Sequence, residues 1–172
     1  TRDRCDQVQH RAVTGQVLDR TVTCFRIGDP RGEYPVFSAA GAQLFPGRWH
    51  TIDHPMIYAA EHLSLAMLEV LASTGGEAPQ NQHWISITLP VGLAYEVLDA
   101  AQLPGWDAAN PLAAQAHGAR WVAQKRSPIL FVPSAVCRTE QNVLINPQHD
   151  DFPRIQPSLH RPVIWDRRLF GG

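Results

Sequence analysis

Short β-type segments outnumber helical ones along this chain, and that imbalance limits the architectures open to it. Thr21–Ile27 is dominated by β-branched and aromatic residues, which suit a pleated, half-buried surface. His83–Leu89 alternates apolar and polar residues, the period of a strand with one wet face. Met56–Ala60, Leu93–Leu98, Ile129–Pro133, Asn142–Ile145 and Pro162–Trp165 are further short candidates. Helical periodicity marks 62–73, where Leu63, Ala66, Met67, Val70 and Leu71 recur on one face. Leu65 and Leu68 thicken that stripe, which predicts a largely buried helix ended by Ser73–Gly76. A second helix is expected over 111–125, with Asn110 as its cap and Pro111 as its first helical residue. Short, hairpin-like connections favour an α+β fold with largely antiparallel pairing over a doubly wound sheet.

One charge interrupts the first helix. Glu69 is the only charged residue between Glu61 and Glu77. An ionised carboxylate in an apolar frame is either paired or held for chemistry. The residues alone leave both readings open: an ion pair with an arginine, or a catalytic group. Arg48, in Pro46–His50, and Tyr58, in Pro55–Ala60, precede it closely enough to face it.

Composition narrows the class. At 172 residues, with 44% hydrophobic, the chain suits one globular domain with a sizeable core. A net charge of −1 shows no basic surplus, so a direct nucleic-acid role is not expected. Lys125 is the only lysine beside many arginines, and for most of these a compositional bias is the simpler reading. Cys5, Cys24 and Cys137 are scattered, which argues for a reducing compartment and against a disulfide framework. No C-x-x-C spacing suggests zinc. Arg2, Asp3, Arg4 and Asp6 lack the apolar region of a secretion signal behind them, and no run approaches the ~18 apolar residues of a membrane span. A cytoplasmic protein is expected, with an arm over 1–20 and one domain over 21–172.

The usual nucleotide and hydrolase signatures are missing: no G-x-G-x-x-G, no P-loop and no G-x-S-x-G elbow. Ordinary glycosidases flank the scissile bond with two carboxylates, and here only Glu69 is framed. One carboxylate suffices where the leaving group is a cationic heterocycle, which departs neutral without a general acid. The nicotinamide–ribose bond of NAD is such a bond; its oxocarbenium-like transition state needs negative charge beside it. Arg26, Arg48 and Tyr58 would supply cationic and aromatic contacts.

Cys24–Phe25–Arg26–Ile27, Gly47–Arg48–Trp49–His50, Ile57–Tyr58–Ala59–Ala60–Glu61, Ala66–Met67–Leu68–Glu69–Val70–Leu71, Val132–Pro133–Ser134–Ala135–Val136 and Asn142–Val143–Leu144–Ile145–Asn146–Pro147 occur in that order. Together, over about 21–170, they resemble the RES domain, named for its Arg, Glu and Ser. The resemblance implies a toxin of a bacterial toxin–antitoxin pair and a split sheet similar to that of the ADP-ribosyltransferases. It implies consumption of NAD, by hydrolysis or phosphorolysis or by transfer of ADP-ribose to a protein. NAD is then the substrate, with no prosthetic group and no metal. The family's arginine, glutamate and serine fall on Arg26, Glu69 and Ser134, with Arg48 and Tyr58 in its G-R-W and Y-A-A segments. His50 stands where many members have asparagine.

Each position also has a plainer reading. Arg26, which closes a strand, is expected at the phosphates or ribose, against a solvated strand end. Arg48 is a second phosphate contact or a turn residue. Tyr58 stacks on nicotinamide or fills core. Ser134 orients Glu69 or substrate, or bonds local backbone; without a histidine base nearby it is not a nucleophile. His50 reads as a loop histidine and Asn142 as a turn residue, though both remain candidates for the cleft. Expected partners are an Xre-type antitoxin, a second copy in a homodimer, and a target protein if ADP-ribose is transferred. A chain acting by binding alone, as a corepressor, is the rival from another class.

Overall fold

The computed structural model of the protein describes residues 15–171. Its strands are β1 (Gln16–Val17), β2 (Val22–Gly28), β3 (Ile57–Ala60), β4 (His83–Leu89), β5 (Ala94–Val97), β6 (Ile129–Pro133), β7 (Gln141–Ile145), β8 (Gln156–Pro157) and β9 (Arg161–Pro162). The helices are α1 (Leu63–Ser73) and α2 (Leu112–Gln124). Among the described residues these strands form one sheet in the order β1-β5-β6-β7-β3-β2-β4-β8, with β9 also on β4. Every pairing is antiparallel except β5–β6. A parallel pair needs a crossover, and α2 supplies it. The architecture is α+β, as its pattern predicted. The hairpin expectation is corrected: β4 and β5 are consecutive yet unpaired, and β2 and β3 are joined through a long loop.

The pairing register sorts side chains onto two faces, because residues directly opposite each other point the same way. Cys24↔Ile87 and Ile129↔Ile145 place one apolar set together, with Leu89, Leu93, Phe131 and Val143. On the other face Leu130, Val132 and Leu144 pack with Trp49, Met56, Trp121 and Val122 under α2. Gly118 lets α2 approach that layer; a Cβ there would stand 1.8 Å from the Trp49 carbonyl oxygen.

Three local expectations change. The first helix is not largely buried: only Leu65 and Ala66 are, and Leu68 is 41% exposed. With β2 and β3 on one side only, much of its apolar surface faces outward. The second helix starts one residue late, at Leu112, with Pro111 rather than Asn110 in the cap position and Lys125 closing it in a left-handed conformation. Pro162–Trp165 is not a strand beyond Pro162, and Ile164 is exposed. Of the arm read over 1–20, residues 1–14 lie outside the described residues; Gln16–Val17 forms an edge strand and Leu18 is buried. No helix among the described residues is long and apolar enough to cross a membrane.

Candidate active site

The sheet opens between β2 and β3. These strands pair only at Phe25↔Ala60 and then part. Arg26 spans the opening: Nε donates to the Val36 carbonyl at 2.6 Å and Nη1 to the Tyr58 carbonyl at 2.7 Å. The guanidinium thus takes over a bond the ladder would otherwise make. Burial pushes its pKa down to about 10, so it stays cationic at neutral pH. Nη2 has no acceptor among the described residues.

A cavity of about 210 Å³ occupies the gap, lined by Phe25, Arg26, Tyr58, Glu69, Ser73 and Asn142 among others. Glu69 reaches it from the half-buried side of α1. Its Oε1 accepts from Ser134 Oγ at 2.8 Å and from Asn142 Nδ2 at 2.6 Å. No arginine pairs with it among the described residues, so the ion-pair reading fails. Both donors converge on one oxygen, which leaves Oε2 without a protein partner among the described residues.

Ser134 directly follows β6 and is fully buried. Its Oγ accepts from the backbone amides of Val136 at 3.1 Å and Cys137 at 3.0 Å. With those lone pairs committed, its single proton goes to Glu69. Asn142 stands between Ala60 and Val132 in the sheet, so β7 aims its amide across the opening. The carboxylate is oriented by two neutral donors.

The remaining predicted residues lie behind the cavity. His50 is buried; its Nε2 faces the carbonyls of Ala42 and Phe45, both at 3.0 Å. Carbonyls only accept, so Nε2 bears the proton and Nδ1 accepts from the Tyr58 hydroxyl at 2.7 Å. That hydroxyl in turn accepts from the Trp49 amide at 3.1 Å. Burial lowers the His50 pKa and raises that of Tyr58, so both are neutral. Gly47 has no side chain to spare: a Cβ there would meet His50 and Tyr58 at 2.8 Å. Arg48 points elsewhere, its Nη1 donating to the Trp106 and Ala108 carbonyls at 3.1 and 3.0 Å. Arg48 and His50 therefore do not line the cavity; Arg26, Tyr58, Glu69 and Asn142 do, and Ser134 supports them. His54, four residues after His50, turns its Nδ1 to Thr51. Sequence reasoning missed Ser73, which lines the cavity as the last residue of α1, and Glu61, whose Oε2 accepts from the Gln141 amide at 2.9 Å beside Asn142. Ser73 had no signal beyond one turn's spacing from Glu69.

A mostly antiparallel sheet flanked by two helices is also the fold of a solved toxin. A chain of the M. tuberculosis MbcT–MbcA toxin–antitoxin complex superimposes with a TM-score of 0.67 at 20% identity, each chain covered over 86%. The RES domain model matches residues 23–166, and the chain belongs to the RES family. It is 34% identical over 157 residues to the Prs ADP-ribosylating toxin of Sphingobium sp. strain YBL2, covering 87% of this chain and 97% of that protein. It is 39% identical over 128 residues to a Toxin Res of Photorhabdus laumondii, covering 73% and 81%.

Proposed function

We propose that this RES-family toxin consumes NAD by breaking its nicotinamide–ribose bond in the Arg26–Glu69 cavity. Nicotinamide leaves with the electron pair of the C–N bond and departs neutral. The ribose C1′ becomes oxocarbenium-like, and Glu69 Oε2 steadies that charge while it holds the ribose hydroxyls. Water attacks C1′ and loses a proton to solvent, giving ADP-ribose; phosphate in its place gives the 1-phosphate. Arg26 Nη2 meets the pyrophosphate, and Tyr58 forms an apolar wall for the nicotinamide. Ser134 and Asn142 act through Glu69. Arg48 and His50 act at one remove, by holding the loop behind Tyr58. NAD enters as substrate, with no prosthetic group.

The observation that carries this reading is the division of labour on Glu69: Oε1 saturated, Oε2 available in a cavity shared with a cationic guanidinium. Glu69→Gln keeps an acceptor for Ser134 and Asn142 but removes the charge. Its kcat for NAD should fall on the order of 10²–10³-fold at unchanged melting temperature. Equal turnover in the two proteins would sink the proposal.

The second reading is mono-ADP-ribosylation of a specific protein, favoured by the likeness to the ADP-ribosylating toxin of Sphingobium. Both share the first bond cleavage. Labelled NAD separates them: label on a protein band means transfer, and free ADP-ribose or its phosphate means degradation. The solved toxin is held in a complex with its antitoxin. On that likeness a cognate antitoxin is proposed as a partner of this chain; the resemblance to the RES family adds that it is of the Xre type, that the toxin forms a homodimer, and that the pair acts in the cytoplasm.

A further inference from the structure

Glu69 rides on a helix that packing holds at few points: in α1 only Leu65 and Ala66 are buried. Its two donors belong to other parts of the fold, Ser134 after β6 and Asn142 in β7. Two bonds converging on one carboxylate oxygen require α1 and β7 to keep a fixed relation. A polar tether at the start of α1 supplies what the sparse packing does not.

That tether is Glu61. β3 ends at Ala60, opposite Asn142, and Glu61 begins the turn into α1, whose N-cap is His62. The Glu61 amide donates to the Gln141 carbonyl at 3.2 Å, as the next rung of an antiparallel ladder would. The return bond from the Gln141 amide goes to the Glu61 carboxylate, whose Oε2 accepts it at 2.9 Å. The side chain closes a rung that the backbone abandons as it turns, and the Gln141 amide keeps a partner. On the other side of β7, the Glu140 carbonyl accepts from the Ser134 amide at 3.0 Å. The start of β7 is thus gripped from both sides next to Asn142.

The neighbouring contact does less. His62 Nδ1 and Glu140 Oε2 meet at 3.0 Å with side chains 62% and 32% exposed, and an exposed pair of this kind contributes little. The Glu61 bond orders only one side chain, because its donor is already fixed in β7. Glu61 has no cationic partner among the described residues and does not line the Glu69 cavity. We propose that Glu61 is a positioning residue, which ties the entry of α1 to β7 and so keeps Asn142 aimed at Glu69. The role requires a hydrogen-bond acceptor at that reach and not a charge. It rests on the NAD reading above and adds a residue that acts on Glu69 through Asn142.

NAD turnover by the full chain and the NMR signal of the Asn142 side-chain amide test it together. Glu61→Gln keeps an acceptor at the same reach and should match the parent in both. Glu61→Asp keeps the charge but draws it back by one methylene; kcat should fall by about tenfold or more, KM should stay within about twofold, and the Asn142 amide protons should shift. Glu61→Ala should behave as Glu61→Asp does. Parent-like kcat in a folded Glu61→Asp protein overturns the role, as does a Glu61→Gln protein as slow as Glu61→Asp, or a change confined to KM. Loss of the folded state in both the Asp and Ala variants reduces Glu61 to scaffold and also overturns it. A parent chain that consumes no NAD removes the NAD reading, and the Asn142 signal then decides the role of Glu61 by itself.

Discussion

The two helices reverse what their sequences suggest. α1 carries one charge in eleven residues, yet it buries only Leu65 and Ala66. α2 is more polar, with Gln115, His117 and Arg120, yet it buries Ala114, Gly118, Trp121 and Val122. α2 is a crossover clamped onto the sheet and onto the Trp49 loop. α1 is a shelf beside the opening, fastened where Leu65 and Ala66 touch Ala60 and otherwise free to present Glu69. Apolar content measures how much surface a helix can bury; the neighbours decide how much it does bury.

The contrast is sharpest at Gly118. Gly118→Ala drives a methyl into the Trp49 backbone and should cost about 3 kcal/mol or more, read as loss of the folded state in urea titration. A tolerated alanine would break the picture of α2 as the clamp. On the α1 side, Ser134→Ala leaves the amides of Val136 and Cys137 without their acceptor and removes a donor from Glu69. Stability should drop by about 1–3 kcal/mol, with kcat for NAD falling alongside it. A destabilised protein with unchanged kcat would reduce Ser134 to scaffold.

His50 links the α2 side to pH. Its folded pKa is depressed by burial, so below the ordinary value of 6.5 the unfolded chain binds a proton that the folded protein resists. The stability contribution is therefore present above that value and lost on acidification. The melting temperature should fall between about pH 7 and pH 5, and fall less in His50→Asn. Parallel curves for the two proteins would argue that His50 is not held neutral. The smallest effect belongs to α1: Leu68→Gln, at a 41% exposed position with similar helix propensity, should shift stability by under about 0.5 kcal/mol. A large loss would mean that the outer face of α1 is covered in solution.

Period and residue type were enough to locate the body of β2, β4, β6 and both helices, because those signals are local. They misplaced the end of the chain, where Val163–Trp165 looks like a strand but pairs with β4 only up to Pro162. They also suggested mostly hairpin-like connections, whereas β4 and β5, consecutive in sequence, do not pair. At the site, Arg26, Glu69 and Ser134 stood out through their place in ordered short motifs. Arg48 lay in a motif of the same kind, and no local signal separates a guanidinium that faces a cavity from one that holds the Trp106 and Ala108 carbonyls.

By itself, the order of residues determined that an isolated carboxylate would sit on an apolar helix within an α+β chain, since composition and spacing act over a few residues. Only the tertiary structure decided that the carboxylate would be oriented by Ser134 and Asn142, 65 and 73 positions away. It also decided that β2 and β3 would pair only at Phe25 and Ala60 and leave a cavity beside Arg26. Those outcomes depend on strand order and register, which long-range packing selects and no short window of sequence contains.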